Sequence, residues 1–385
     1  PRFFRQPEGG AGPLAVGGLY HRRAQQETAT SGLDRQETAA FYDLKNQHPQ
    51  ASLILSAAHD WDLLCQTCQW VTQHPDAFGA TILDVGCDCG LLSCFLAQTF
   101  PHSRITSIDR SANGIHAAQQ LAERLGLTNI TFLHADLETL PPMAFDTVFS
   151  SRTVQENYDP LLENARFLPL THQGRICAQV FQRYTSLLCQ FVKPGGTFVT
   201  VERMERDRVF LGYCLALHSQ GLDLVPESHQ ELHCQEGDHT TTLQAFCGVK
   251  EGRTTPTDAE DFFIATFQDA LTWQPRHLDV EGELILELCA QDLIRGHFLH
   301  NPQGARVGKL AIYTSKFDPE ELFYYQGILG QPVQVHRLSR GELSDVLALL
   351  EADLATLTAS TLSAHPFSFQ DGVELLLPLE EPEET

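Results

Sequence analysis

Thr81-Ile82-Leu83-Asp84-Val85-Gly86-Cys87-Asp88-Cys89-Gly90-Leu91-Leu92 reads as a buried strand, a tight glycine turn and the opening of a helix. The apolar run ends in an acid, two glycines follow four apart, and a second apolar run continues from Leu91 to Ala97. Glycine supplies backbone torsions and a close ligand approach that a side chain would block. A turn of this kind at a helix start is a cradle for a nucleotide-like ligand. Arg104-Ile105-Thr106-Ser107-Ile108-Asp109 then reads as a second strand ending in an acid, which can accept both hydroxyls of a ribose. The dinucleotide fingerprint G-x-G-x-x-G would need glycines at 86, 88 and 91, but Asp88 and Leu91 stand there.

The spacing instead resembles motif I of the class I S-adenosylmethionine-dependent methyltransferases, written D-x-G-x-G-x-G. Asp84, Gly86 and Gly90 match it, and Asp88 replaces the middle glycine. Further segments follow in the family's order. Thr131-Phe132-Leu133-His134-Ala135-Asp136-Leu137 resembles its third strand and Phe145-Asp146-Thr147-Val148-Phe149-Ser150-Ser151 its fourth. Phe191-Val192-Lys193-Pro194-Gly195-Gly196-Thr197-Phe198-Val199 resembles its L-K-P-G-G turn and fifth strand. The resemblance covers residues 75 to 250. It implies an α/β fold, a Rossmann-like seven-stranded sheet, and S-adenosylmethionine as cofactor. By the same resemblance Asp84, Gly86, Asp88 and Gly90 shape the cofactor turn, Asp109 holds the ribose and Asp136 the adenine amino group. Cys87, Arg110, Leu137 and Ser150 complete the expected cofactor-binding set.

Charge and composition narrow the partners. The chain has 26 Lys and Arg against 49 Asp and Glu, a net charge of -23 with the acids widely spread. Binding phosphates usually needs a basic surface, so a nucleic-acid partner is not expected, although one local patch can suffice. No apolar run reaches membrane-spanning length, and no basic-then-apolar signal opens the chain. Starting at Pro1, the sequence is expected to lack its natural beginning. The 11 cysteines, odd in number and scattered, fit a reducing cytoplasm better than a disulfide framework.

Four regions are expected. Residues 1–74 hold a Gly-, Pro- and Gln-rich arm and then helical patterns over 33–47 and 57–73; in the family, helices placed so often lid the pocket. Residues 75–250 form the cofactor-binding domain. Its helices are expected over 111–125 (stopped by Gly126), 174–191 and 207–220, and its last strands over 222–234 and 240–250. A Gly- and Thr-rich linker leads to an accessory α+β domain over 257–372. A helix is expected there over 258–273 and another over 341–356. Its strands are expected over 282–289, 292–300, 305–314 and 332–338. It is expected to dock on the methyltransferase body or on a second copy of the chain, giving a homodimer. Residues 373–385 read as an acidic tail.

Methyl transfer from a sulfonium is an in-line displacement that needs alignment and water exclusion, and needs a base only for a protonated acceptor. The loop after the fourth strand is where ligands sit in such sheets. Many small-molecule methyltransferases carry V-L-x-H there. This chain has Val154-Gln155-Glu156-Asn157, with Asn157 at the histidine position. Asn157 can orient an acceptor, Glu156 or Tyr158 can act as base, and Arg152 can bind a substrate carboxylate. The plainer reading makes Arg152 and Glu156 solvated charges. Asp88 has two readings: a small polar residue tolerated in a left-handed turn, or a charge that repels the cofactor carboxylate and marks a non-catalytic relative. Cys65, Cys68, Cys87 and Cys89 are read as small buried hydrophobes, and no metal is expected. The expected activity is methyl transfer to a small molecule. A non-catalytic scaffold and a protein methyltransferase are the alternatives.

Overall fold

A computed structural model describes residues 45–48, 52–54, 56, 60–154, 170–236, 239–251, 258–266, 289–316, 318–329, 334–359, 361–370 and 373–376. The chain divides into two units, residues 1–167 with 173–262 and residues 168–172 with 263–385.

The first unit alternates helix and strand: α1 (Trp61–Gln73), β1 (Thr81–Val85), α2 (Leu91–Thr99), β2 (Arg104–Asp109), α3 (Ala112–Arg124), β3 (Ile130–His134), β4 (Phe145–Ser151), α4 (Leu170–Cys189), β5 (Val192–Arg203), α5 (Arg208–Ser219), β6 (Leu222–Leu224), β7 (Gln230–Glu236) and β8 (His239–Lys250). The strands form one sheet in the order β3-β2-β1-β4-β5-β8-β6, with β7 also paired to β8. Strands β1 to β5 run parallel, and β8 returns antiparallel to β5. The chain reverses its strand order between β1 and β4, so the ends of those strands make the crevice where ligands bind.

Seven lateral positions hold eight strands. The expected strand over 222–234 is split, because Pro226 lacks an N–H for the ladder and opens a 3-10 turn over Pro226–Ser228. The two pieces, β6 and β7, pair in succession along the same edge of β8. The expected helix over 111–125 is α3, capped by the Ser111 hydroxyl on the Gly114 N–H, with Gly126 left-handed beyond it. α4 starts four residues earlier than its pattern suggested. Of the expected N-terminal helices, residues 33–44 lie outside the described residues and the second is α1.

Apolar spacing explains α1. Leu63, Trp70 and Val71 fall on one face and are fully buried in a core with Ile82, Leu96, Phe149, Val199, Val201, Leu232 and Leu243. The Trp70 ring nitrogen donates to the Ser228 carbonyl at 3.0 Å, so its polar atom is satisfied inside that core. Phe181, Phe210, Tyr213 and Phe246 pack edge to face in another layer, joined by Phe262.

The second unit holds α7 (Leu343–Thr358) and six strands: β9 (Ala290–His300), β10 (Arg306–Ser315), β11 (Glu321–Ile328), β12 (Gln334–Ser339), β13 (Ser363–Gln370) and β14 (Val373–Leu376). They form an antiparallel sheet ordered β12-β11-β10-β9-β13-β14. Leu299, Leu310, Ile312 and Tyr324 meet Val346, Leu350 and Leu354 of α7. The Tyr324 hydroxyl donates to Asp353 at 2.6 Å. β11 was not expected, because its run Leu322-Phe323-Tyr324-Tyr325 is apolar without alternation. Val373–Leu376, read as tail, pairs with β13 instead. A helix, α6 (Ala259–Ala265), lies where one was expected from 258, and the expected strand over 282–289 falls almost wholly outside the described residues.

Candidate functional site

The cofactor turn leaves β1 with three left-handed residues in alternation: Gly86 at φ 75°, Asp88 at φ 46° and Gly90 at φ 79°. The non-glycine in the middle adopts the torsion its slot requires, which Asp tolerates better than most residues. The amides of Gly86 and Cys87 both donate to the Ile108 carbonyl, at 2.9 and 3.0 Å, tying the turn to β2. Space is as demanding as torsion. A Cβ on Gly86 would lie 2.6 Å from the Thr153 methyl, and one on Gly90 2.5 Å from the Cβ of Ala118 on α3.

Asp109 stands at the end of β2, half-buried. One carboxylate oxygen accepts the Asp88 N–H at 2.8 Å and the other the Ser111 N–H at 2.7 Å. A carboxylate has about four acceptor positions, so capacity for ribose hydroxyls remains. Burial and the Asp88 charge push its pKa up to about 6, against the opposing Ser111 and Asp88 amides and Arg110. Asp84 is buried and takes the Ser93 hydroxyl at 2.5 Å, which joins β1 to α2. Burial pushes its pKa up to about 6 as well. Asp136 caps a short 3-10 turn by accepting the Glu138 N–H at 3.0 Å, and Leu137 beside it is buried. Arg110 is exposed, with its carbonyl bonded to the His134 ring at 3.0 Å.

These raised acids have a consequence for stability. An acid whose folded pKa lies above its unfolded value stabilises the fold fully below the unfolded pKa, and that contribution is lost as pH rises through the folded pKa. For Asp84 the window runs from about 4, the ordinary Asp value, to about 6. Denaturant unfolding at pH 5 and pH 7 is expected to show a smaller pH difference in Asp84→Asn than in wild type. An unchanged difference would remove Asp84 as its source.

The Asp88 side chain is paired with the segment before α1. Its carboxylate accepts the Lys45 ammonium at 2.5 Å and the Asn46 amide at 2.7 Å, and Ser52 donates to Asn46 at 2.5 Å. Lys45, Asn46 and Ser52 are buried, while the Asp88 side chain is 26% exposed. Burial alone would raise the Asp88 pKa, but the Lys45 charge and the Lys45 and Asn46 hydrogen bonds outweigh it and hold it below the ordinary range. The charge that suggested repulsion of a cofactor carboxylate is therefore matched by a cation.

Beyond β4 the chain turns sharply, with Arg152 left-handed at φ 56° and its guanidinium 3.3 Å from the buried Asp60. Ser150 is fully buried. Its hydroxyl lies 3.0 Å from Glu202 of β5 and 2.7 Å from the Thr153 hydroxyl. Glu202 also accepts the amides of Thr153 at 3.3 Å and Val154 at 3.2 Å. Burial pushes its pKa up to about 7, partly offset by those donors and by Arg152. The expected catalytic residues Glu156, Asn157 and Tyr158 lie outside the described residues.

The structure brings Asp84, Gly86, Cys87, Asp88, Gly90 and Asp109 together at the ends of β1 and β2. It places Ser150 near the end of β4 and Arg152 in the loop just after it. Sequence reading missed Lys45, Asn46, Thr153 and Glu202. Glu202 had a signal: like Asp84 and Asp109, it is an acid near the end of an apolar strand pattern. Lys45 had none. The thiols of Cys87, Cys89 and Cys94 are pushed above their ordinary range by burial, the last two to about 12, so they are protonated at neutral pH.

The fold and this turn define a nucleotide-binding α/β domain of the methyltransferase class. Residues 77–245 match the family model described as Methyltransferase domain. The chain is 37% identical over 106 residues to ribosomal RNA small subunit methyltransferase G of Chlorobium luteolum, covering 27% of this chain and 42% of that protein. It is 29% identical over 118 residues to malonyl-[acyl-carrier protein] O-methyltransferase of Paenibacillus sp. strain JDR-2, covering 31% of this chain and 37% of that protein. It thus spans about two fifths of the length of these relatives. Among solved structures, a SAM-dependent methyltransferase from Aquifex aeolicus aligns at 17% identity and a TM-score of 0.34, over 47% of this chain and 89% of that one.

The relatives correct one expectation. A small-molecule acceptor, with nucleic acid set aside on charge, does not stand beside relatives named for ribosomal RNA. The physical reason is that net charge sums over the whole chain, while recognition reads the local field at the site.

Proposed function

We propose that this protein transfers the methyl group of S-adenosylmethionine by in-line displacement, with the cofactor held by residues of the 75–250 region. The observation that supports this most is the pairing of a left-handed glycine turn at the end of β1 with the Asp109 carboxylate at the end of β2. These residues fit a nucleoside carrying an amino acid tail. The turn lets a ligand approach the backbone, Asp109 keeps acceptor capacity for a ribose, and Asp136 stands at the end of β3 for the base. When bound, the cofactor supplies an activated methyl on a cationic sulfur. The chain's part is to orient the reactants and exclude water. Lys45 offsets the Asp88 charge, so Asp88 adds no unbalanced anion against the carboxylate of that amino acid tail. The region from 257 to 372 is read as an accessory domain. A cytoplasmic, reducing setting is read from the 11 cysteines, odd in number and scattered along the chain.

Titration calorimetry with S-adenosylhomocysteine tests the reading. Micromolar-range binding, with none of NAD, is expected; NAD binding without S-adenosylhomocysteine binding would sink it. Asp109→Ala is expected to weaken binding by about 1.5–3 kcal/mol, the scale of charge-assisted hydrogen bonds. Transfer of labelled methyl to small-subunit ribosomal RNA and to protein substrates then reads the acceptor. Binding without transfer to any acceptor would favour the scaffold alternative.

A further inference from the structure

Glu202 is a fully buried carboxylate near the carboxyl end of β5. Burying a carboxylate costs several kcal/mol unless hydrogen bonds replace its water. Here the replacements come from one place. Ser150, Thr153 and Val154, all from the end of β4 and the loop after it, direct a hydroxyl and two amides at its two oxygens. The same loop reaches the cofactor turn, because the Thr153 methyl fills the space over Gly86. It also reaches the segment before α1 through Arg152 and Asp60. A neutral residue could not serve these donors alike. A glutamine keeps one acceptor oxygen and turns its other terminal atom into a donor.

We propose that Glu202 is a positioning residue: its ionised carboxylate clamps the loop after β4 and sets Thr153 against Gly86 of the cofactor turn. The inference rests on the methyltransferase reading for its meaning, but the clamp itself can be observed without cofactor. When ionised, Glu202 accepts all three donors. When protonated, one oxygen becomes a donor facing other donors, and the loop loosens. Its pKa, raised to about 7, puts that change within reach of solution conditions. The groups facing it are Arg152 from the loop, which favours the ionised form, and Tyr213 of α5, whose own ionisation Glu202 opposes. Gln244 of β8 pairs with it in register and bonds His229 and Glu231, so these two act one residue further out.

Hydrogen–deuterium exchange on the full chain tests the clamp. Protection of the 150–154 peptide, corrected for intrinsic exchange, is compared at pH 8 and pH 6 in wild type and Glu202→Gln. Wild-type protection is expected to fall about tenfold at the lower pH. Glu202→Gln is expected to be low at both, and to bind S-adenosylhomocysteine about tenfold more weakly at pH 8. Wild-type protection that does not change with pH overturns the proposal, and this arm needs no variant to fold. Equal protection in a folded Glu202→Gln also overturns it. If wild type binds no S-adenosylhomocysteine while protection follows the expected pattern, the clamp stands and the methyltransferase reading falls.

Discussion

Replacing Gly90 by alanine is expected to lower the unfolding free energy by about 2–5 kcal/mol, from left-handed strain and overpacking together. The strain arises because Gly90 sits at φ 79° at the start of α2. The overpacking arises because the new methyl would lie 2.5 Å from the Ala118 Cβ and 3.0 Å from its Cα. The backbone atom cannot rotate away, so α2 and α3 must separate. Urea unfolding measures the loss. A paired Gly126→Ala is the control, since Gly126 is also left-handed, at φ 67°, but its Cβ would meet nothing within 4 Å. Strain alone predicts equal losses at the two positions; a loss at Gly90 no larger than at Gly126 would refute the packing argument.

Replacing Asp88 by alanine is expected to cost about 2–4 kcal/mol, somewhat less than for a wholly buried ion pair because Asp88 is partly exposed. The cost comes from Lys45, which is 3% exposed and would lose the carboxylate beside its ammonium. Asn46 would lose an acceptor at the same time. The double variant Lys45→Met with Asp88→Ala is expected to recover much of the loss, as removing both charges of a buried pair often does. A double variant as unstable as the sum of the two singles would show that the pair is not coupled. The same series distinguishes the two sequence readings of Asp88. Stronger S-adenosylhomocysteine binding by roughly a hundredfold in Asp88→Ala, about 2.7 kcal/mol, would restore the repulsion reading despite the pairing with Lys45.

Sequence alone determined the parallel strands of the first unit and the glycine turn after β1. These depend on short-range signals: apolar runs of strand length, glycines at fixed spacing and acids at strand ends, each within about a dozen residues. Gly86, Gly90 and Asp109 were legible because torsion and strand position are local properties. The Ser111 cap and Gly126 stop of α3 were legible for the same reason. Other features needed the tertiary structure. Lys45 meets Asp88 across 43 residues, and Glu202 meets Val154 across 48. No periodicity encodes a partner at that separation. The strand β11 was hidden because both of its faces are apolar, which removes the alternation that marks a strand. Whether Asp88 is a defect or a partner was likewise undecidable from its own neighbourhood. A charge is defined by what faces it, and the cation facing Asp88 arrives from a segment that only folding brings there.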